Sequence, residues 1–198
     1  MNFKKPILIA EVGCNHKGEL ETAMKFIKIA KEFCNVPCIK FQKRDPKTLL
    51  SEEEYNLPHP VEQNSYGKTY GEHREFLEFS KNEHKELMNY CGEIGIEYST
   101  SVWDVTSAKE ISELNPTLIK VPSASNTHYE MLEVSRDDYK GDVHVSFGMT
   151  TKNEQQKLID FFQEKNQAKE RLVVYSCTSG YPVSFDFSCM YASDNNLV

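Results

Sequence analysis

Residues 117–123 read TLIKVPS and residues 38–42 read CIKFQ. Both are short runs of apolar and β-branched residues, of strand length, with a lysine in the body of the run. An unpaired ammonium inside a buried strand is costly, so two such lysines need an explanation. Four further runs have the same length and character: ILIAEV at 7–12, EYSTSV at 97–102, VHVSFG at 143–148 and RLVVYSC at 171–177.

Stretches with helical periodicity separate these runs. Leu20, Ala23, Met24, Ile27, Ala30 and Cys34 fall on one stripe of 19–34. Leu87, Met88, Cys91 and Ile94 do so in 80–95, with Gly95 as a stop. Val105, Ala108, Ile111 and Leu114 mark 105–114, and Leu158, Ile159, Phe161 and Phe162 mark 151–166. Ser80-x-x-Glu83, Thr127-x-x-Glu130 and Thr151-x-x-Glu154 each fit a capping box at a helix start.

Strands alternating with helices imply a parallel sheet, because a parallel neighbour requires a long crossover. A doubly wound sheet usually carries a glycine-rich phosphate turn after its first strand, and CNHKGEL has a single glycine. The strand ends instead deliver polar groups together: Glu11, Lys40 with Gln42, Thr100 with Ser101, Lys120 with Ser123, Ser146, and Thr178 with Ser179. That pattern suits the top of a (β/α)8 TIM-type barrel. A barrel typically needs about 250 residues. With six strands in 198 residues, the expectation is one partial barrel domain over 1–198, truncated after about six strand–helix units.

The 23 Lys and Arg residues against 30 Asp and Glu give a net charge of −7, which argues against nucleic acid or an anionic membrane as partner. No apolar run is long enough for a transmembrane helix, and the N-terminus lacks the pattern of a signal peptide. The six cysteines, irregularly spaced, read as reduced thiols of a cytoplasmic protein, and Cys34 and Cys38 alone do not make a zinc site. Walker, GxSxG and dinucleotide motifs are absent.

Lys40 and Lys120, each followed by hydroxyl or amide groups, point to an anion pocket with Ser123, Ser146, Thr100 and Ser179 as donors. The competing reading pairs each lysine with a neighbouring acid such as Glu11. Glu11 could orient a polyol or take part in proton transfer. His16 reads as a hydrogen-bonded loop residue, and His84 falls on the exposed side of its helix. No histidines show ligand spacing, so no metal ligand is assigned. Asp104 reads as a helix N-cap. Residues 44–79 show no clear periodicity and read as a long loop, a lid or substrate wall at the barrel mouth.

The segments IAEVGCNHKGELETA (9–23), IKFQKRDP (39–46), YGEHREFLEFS (70–80), YSTSVWD (98–104), IKVPSASNT (119–127), VSFGMTT (145–151) and YSCTSGYPV (175–183) together resemble the N-acetylneuraminate (sialic acid) synthase family, which includes legionaminate and pseudaminate synthases. KFQKR and SVWD look closer to the legionaminate-like branch than to the animal enzymes. The resemblance implies a (β/α)8 barrel that condenses phosphoenolpyruvate with an open-chain N-acetylated amino sugar, such as N-acetylmannosamine, and releases phosphate. It implies that Lys40, Thr100, Lys120, Ser123, Ser146 and Ser179 hold phosphoenolpyruvate. Glu11, Gln42 and Tyr181 lie near the sugar and the reacting carbons, with Glu11, Lys40, Lys120 and Tyr181 as catalytic candidates.

The resemblance also implies a divalent metal, Mn or Mg, a homodimer, and a C-terminal antifreeze-like domain. The family's metal-binding histidines and that domain lie beyond the sixth strand, where no counterpart is seen in these 198 residues. Ser176 stands where a histidine commonly precedes CTS, and Ser125 replaces a family glutamate. A fragment without turnover, a non-catalytic anion- or partner-binding relative, and a phosphoenolpyruvate synthase acting on a phosphorylated sugar are the alternatives.

Overall fold

The computed structural model of the chain describes residues 6–180 and 183. Six strands form one all-parallel sheet in chain order: β1 (Ile9–Glu11), β2 (Cys38–Lys43), β3 (Glu97–Val102), β4 (Leu118–Val121), β5 (Asp142–Ser146) and β6 (Leu172–Tyr175). Each pairs with the next, so the sheet curls into a half-barrel with β1 and β6 at its edges. The helices are α1 (Leu20–Glu32), α2 (Pro46–Leu49), α3 (Glu52–Asn56), α4 (Tyr70–Phe76), α5 (Lys81–Ile94), α6 (Val105–Leu114), α7 (Tyr129–Asp137) and α8 (Lys152–Gln163).

Period-two alternation divides each strand between two environments. Phe41, Thr100 and Ile119 are register neighbours on one side, and Ile119 in turn faces Val143. This side meets the helices. Ile39, Phe41, Tyr98 and Val12 pack with Ala23 and Ile27 of α1 and Leu87 of α5. Ile119, Val121, Val143 and Val145 pack with Ile111 of α6, Leu132 of α7 and Phe162 of α8. Burying each such side chain stabilises the fold by about 1.5–3 kcal/mol. The other side carries Lys40 beside Ser99, and Ser101 beside Lys120, which is itself beside His144. This is the inner face of the curl.

The helix ends follow their capping chemistry. Ser80 with Glu83 and Thr151 with Glu154 form reciprocal capping boxes, and Gly95 closes α5 in the left-handed conformation at φ 74°. The box expected at Thr127 does not form: His128 precedes α7 and makes no side-chain cap. Asp104 caps α6 by accepting from the Ser107 amide, and its second oxygen accepts from the Asp45 amide at 2.8 Å.

Two further expectations are corrected. His84 is fully buried, because α5 turns it onto the sheet, where Nδ1 lies 2.5 Å from the Tyr98 hydroxyl. Residues 44–79 are not one irregular loop. They fold into α2, α3, a 3-10 turn at Glu62–Asn64 and α4, and Ser51 with Glu54 makes a further capping box. These helices have 4–7 residues, too short for a hydrophobic stripe to repeat. Among the described residues no helix is long and apolar enough to cross a membrane.

Candidate functional site

Lys40 and Lys120 come from β2 and β4, with β3 between them. They line one cavity of about 270 Å³ on the inner face, together with Ile7, Ile9, Leu118, His144 and Tyr175. The ammonium of Lys40 pairs with the Glu11 carboxylate and lies 3.3 Å from the Ser101 hydroxyl. Gln42 donates to Glu11 at 3.4 Å. The charge-pair reading therefore holds for Lys40. It does not hold for Lys120, which has no carboxylate partner among the described residues. Two ammonium groups and one carboxylate leave the cavity with a net positive charge.

Burial, and then the neighbouring Lys120 ammonium, hold the pKa of Lys40 down to about 8. The Glu11 carboxylate works against both. Burial also lowers the pKa of Lys120, opposed by Cys177. An anion entering the cavity would relieve both costs at once.

Polar groups on the loops after β4, β5 and β6 are organised around residues 146–149. Ser123 accepts from the Gly148 amide at 3.1 Å, and Ser179 accepts from the Met149 amide at 2.8 Å. Buried Asn126 donates to the carbonyls of Ser146 at 2.8 Å and Gly148 at 3.1 Å. Ser146 follows His144 by two residues at the end of β5 and so shares the inner face. Among the described residues Ser123 and Ser179 are engaged as acceptors only, which leaves their O–H donors for a ligand.

Thr100 is corrected. It is fully buried on the helix side, next to Phe41 and Ile119, away from both lysines. Lys40 pairs in register with Ser99, so Ser99 and Ser101 are the residues of β3 that face inward. Ser125 donates to the Trp103 carbonyl at 3.0 Å. Tyr181 lies outside the described residues.

At the rim, Arg44 ties several loops together. It binds Glu78 through Nε at 2.6 Å and through its own amide at 3.0 Å, and its Nη2 reaches Cys14 Sγ at 2.9 Å. His16 is buried and stacks on Phe79 at 4.2 Å, and its Nδ1 accepts from the Gly18 amide. Burial first, then Arg44, lowers its pKa to about 4, so it is a neutral structural residue. Among the described residues no group of three His, Cys, Asp or Glu could hold a metal ion, and Glu11 is engaged by Lys40. The described residues thus hold no divalent-metal site of their own, and no step below is routed through a metal.

The NeuB family matches residues 26–194. The chain belongs to the NeuB family. This NeuB-family chain is 34% identical over 176 residues to N-acetylneuraminate-9-phosphate synthase of Mus musculus, covering 89% of the chain and 47% of that enzyme. It is 26% identical to N,N'-diacetyllegionaminic acid synthase of Campylobacter jejuni, covering 93% and 54%. These identities reverse the order expected from KFQKR and SVWD. The fold superposes on the N-acetylneuraminic acid synthetase of Leptospira borgpetersenii with a TM-score of 0.74 at 22% identity, covering 92% of this chain and 57% of that one. The NeuB-family chain spans about half the length of the curated relatives it matches.

Sequence reasoning set Ser101 with Thr100 at a strand end without making it a site candidate, and did not single out Asn126, His144 or Tyr175 as candidates. Counting back by two from Ser146, already a candidate, would have set His144 on the same face of its strand. Nothing local marks Asn126, whose role exists only through two carbonyls 20 and 22 residues away.

Proposed function

We propose that this chain carries the phosphoenolpyruvate-binding part of a nonulosonic acid synthase, which joins phosphoenolpyruvate to an N-acetylated amino sugar. The observation that carries this reading is the pair of inward lysines on one cavity, of which only Lys40 has a carboxylate partner, Glu11 of β1, among the described residues. A ligand with a phosphate and a carboxylate matches that charge. The solved Leptospira borgpetersenii synthetase was crystallised in complex with citrate, another carboxylate anion.

In the proposed reaction C3 of phosphoenolpyruvate attacks the sugar aldehyde, forming the new C–C bond. Water adds to C2, and the C2–O bond to phosphate breaks, leaving a 2-keto acid. Lys40 and Lys120 hold the anion and offset the charge of the departing phosphate. Ser101, Ser123, Ser146 and Ser179 donate to its oxygens and fix its orientation. Glu11 and Gln42, at the rim, face the sugar side, and Tyr181 is proposed to join them.

A second reading changes only the acceptor, to a phosphorylated amino sugar. The higher identity to the mouse enzyme, whose named product carries a 9-phosphate, favours it. Calorimetric titration of the chain with phosphoenolpyruvate tests the site, and absence of binding at millimolar ligand would sink it. Phosphate release, assayed with Mn²⁺ and with N-acetylmannosamine or its 6-phosphate, decides the acceptor. Binding without release from either sugar favours an anion-binding relative.

A further inference from the structure

Two side chains on the lysine cavity have no part in the reading above. His144 on β5 and Tyr175 on β6 line it together with Lys40 and Lys120, and strand register sets His144 directly beside Lys120. A barrel interior is ordinarily packed with branched apolar side chains. Here an imidazole and a phenol occupy that space, with His144 Nδ1 and the Tyr175 hydroxyl 2.8 Å apart.

Both groups are neutral at pH 7. Burial holds the imidazole pKa below its ordinary value against the pull of Asp142, and burial raises that of the phenol. A third positive charge beside the two lysines is thereby avoided. The hydrogen inventory of the pair then has a definite consequence. Together the two groups own one N–H and one O–H, and their mutual hydrogen bond uses one of them. If the phenol donates to Nδ1, the Nε2–H remains; if Nδ1–H donates to the phenol, the O–H remains. In either tautomer one donor is left over, on a residue that lines the cavity. The lysines supply charge with little directional preference, whereas this donor has a fixed direction.

We propose that His144 and Tyr175 form a neutral donor pair that hydrogen-bonds an oxyanion group of the small anion held by Lys40 and Lys120. The inference rests on the anion-site reading above. It adds a recognition element on the β5–β6 wall that carries no charge.

The test is calorimetric titration of the chain, and of its Lys120→Met, His144→Leu and Tyr175→Phe variants, with phosphoenolpyruvate at pH 7.5. Tyr175→Phe removes one oxygen and keeps the ring, so its fold should persist by circular dichroism. Loss of one hydrogen bond to a charged ligand should weaken binding about 10-fold or more in at least one of the two variants, His144→Leu where Nε2–H is the remaining donor and Tyr175→Phe where the phenol O–H is. Should His144→Leu not fold, His144→Phe takes its place. Wild-type binding that is lost in Lys120→Met but stays within about two-fold in both the His144 and the Tyr175 variant overturns this inference and leaves the anion site standing. No binding by the wild-type chain overturns both.

Discussion

The hydroxyl of Ser123 accepts from the Gly148 amide at 3.1 Å, and this contact leaves no room for a side chain at position 148. A Cβ built there would lie 2.6 Å from Ser123 Oγ and 3.1 Å from its Cβ. The loop after β5 thus approaches the β4 loop as closely as backbone allows, and glycine is what permits it. Gly148→Ala should push Ser123 away from the loop. The expected cost is about 1–3 kcal/mol of stability, as for other overpacked sites. Weaker phosphoenolpyruvate binding should accompany it. Urea unfolding and calorimetry check both, and unchanged values in both would show that the loop relaxes freely.

Lys120 is half-buried without a carboxylate partner among the described residues, a cost the fold bears with no local return. Lys120→Met should therefore leave stability unchanged or raise it. Phosphoenolpyruvate affinity should fall by roughly 100-fold, the scale of a charge-assisted contact of about 3 kcal/mol. A variant that loses stability and keeps its affinity would assign Lys120 a structural role.

The lowered pKa of Lys40, about 8, sets a pH dependence. The folded chain gives up this proton at lower pH than the unfolded chain, whose lysine titrates near 10.5. Between these values the unfolded state binds more protons, so the stability of the ligand-free chain should rise with pH from about 8 upward. Anion binding should run the other way and weaken as pH passes about 8. A phosphate group is fully ionised well above its second pKa of about 6, so the ligand's own charge is constant there. Glu11→Gln removes the carboxylate that opposes the shift and should move the midpoint lower. Flat affinity from pH 7 to 9.5 would be incompatible with this account.

His84 governs the acid side. Burial, then Lys43 and His16, lower its pKa from 6.5 to about 3. The unfolded chain takes up this proton near 6.5 and the folded chain does not, so stability present above 6.5 is lost as pH falls toward 3. His84→Gln should flatten the decline in urea midpoint between pH 7 and pH 5. The variant should also be less stable at pH 7, since the Tyr98 hydroxyl loses its partner. A decline as steep as that of the wild type would place the acid sensitivity elsewhere, with His16 next in line.

Much of the architecture was legible in local patterns. The six strands, the α1, α5, α6 and α8 stripes, and the caps at Ser80, Thr151 and Asp104 all rest on interactions within a few residues of each other. His84 was misread because four stripe residues on α5 define a narrower apolar face than the one the sheet covers, and the Tyr98 hydroxyl supplies its polar partner from another element. Thr100 was misassigned because EYSTSV is polar on both faces, so its alternation has no visible phase.

The sequence by itself determined the alternation of strands and helices, the presence of lysines within two strands, and the family to which their motifs belong, because each depends on residue type and short spacing. Only the tertiary structure decided which residues meet. Register against Lys40 turned Ser101 inward and Thr100 outward, gave Glu11 to Lys40 and not to Lys120, and set His144 and Tyr175 on the same cavity. The physical reason is that a strand's facing, and hence the partner of each charge, is fixed by backbone hydrogen bonds to chain segments tens of residues away.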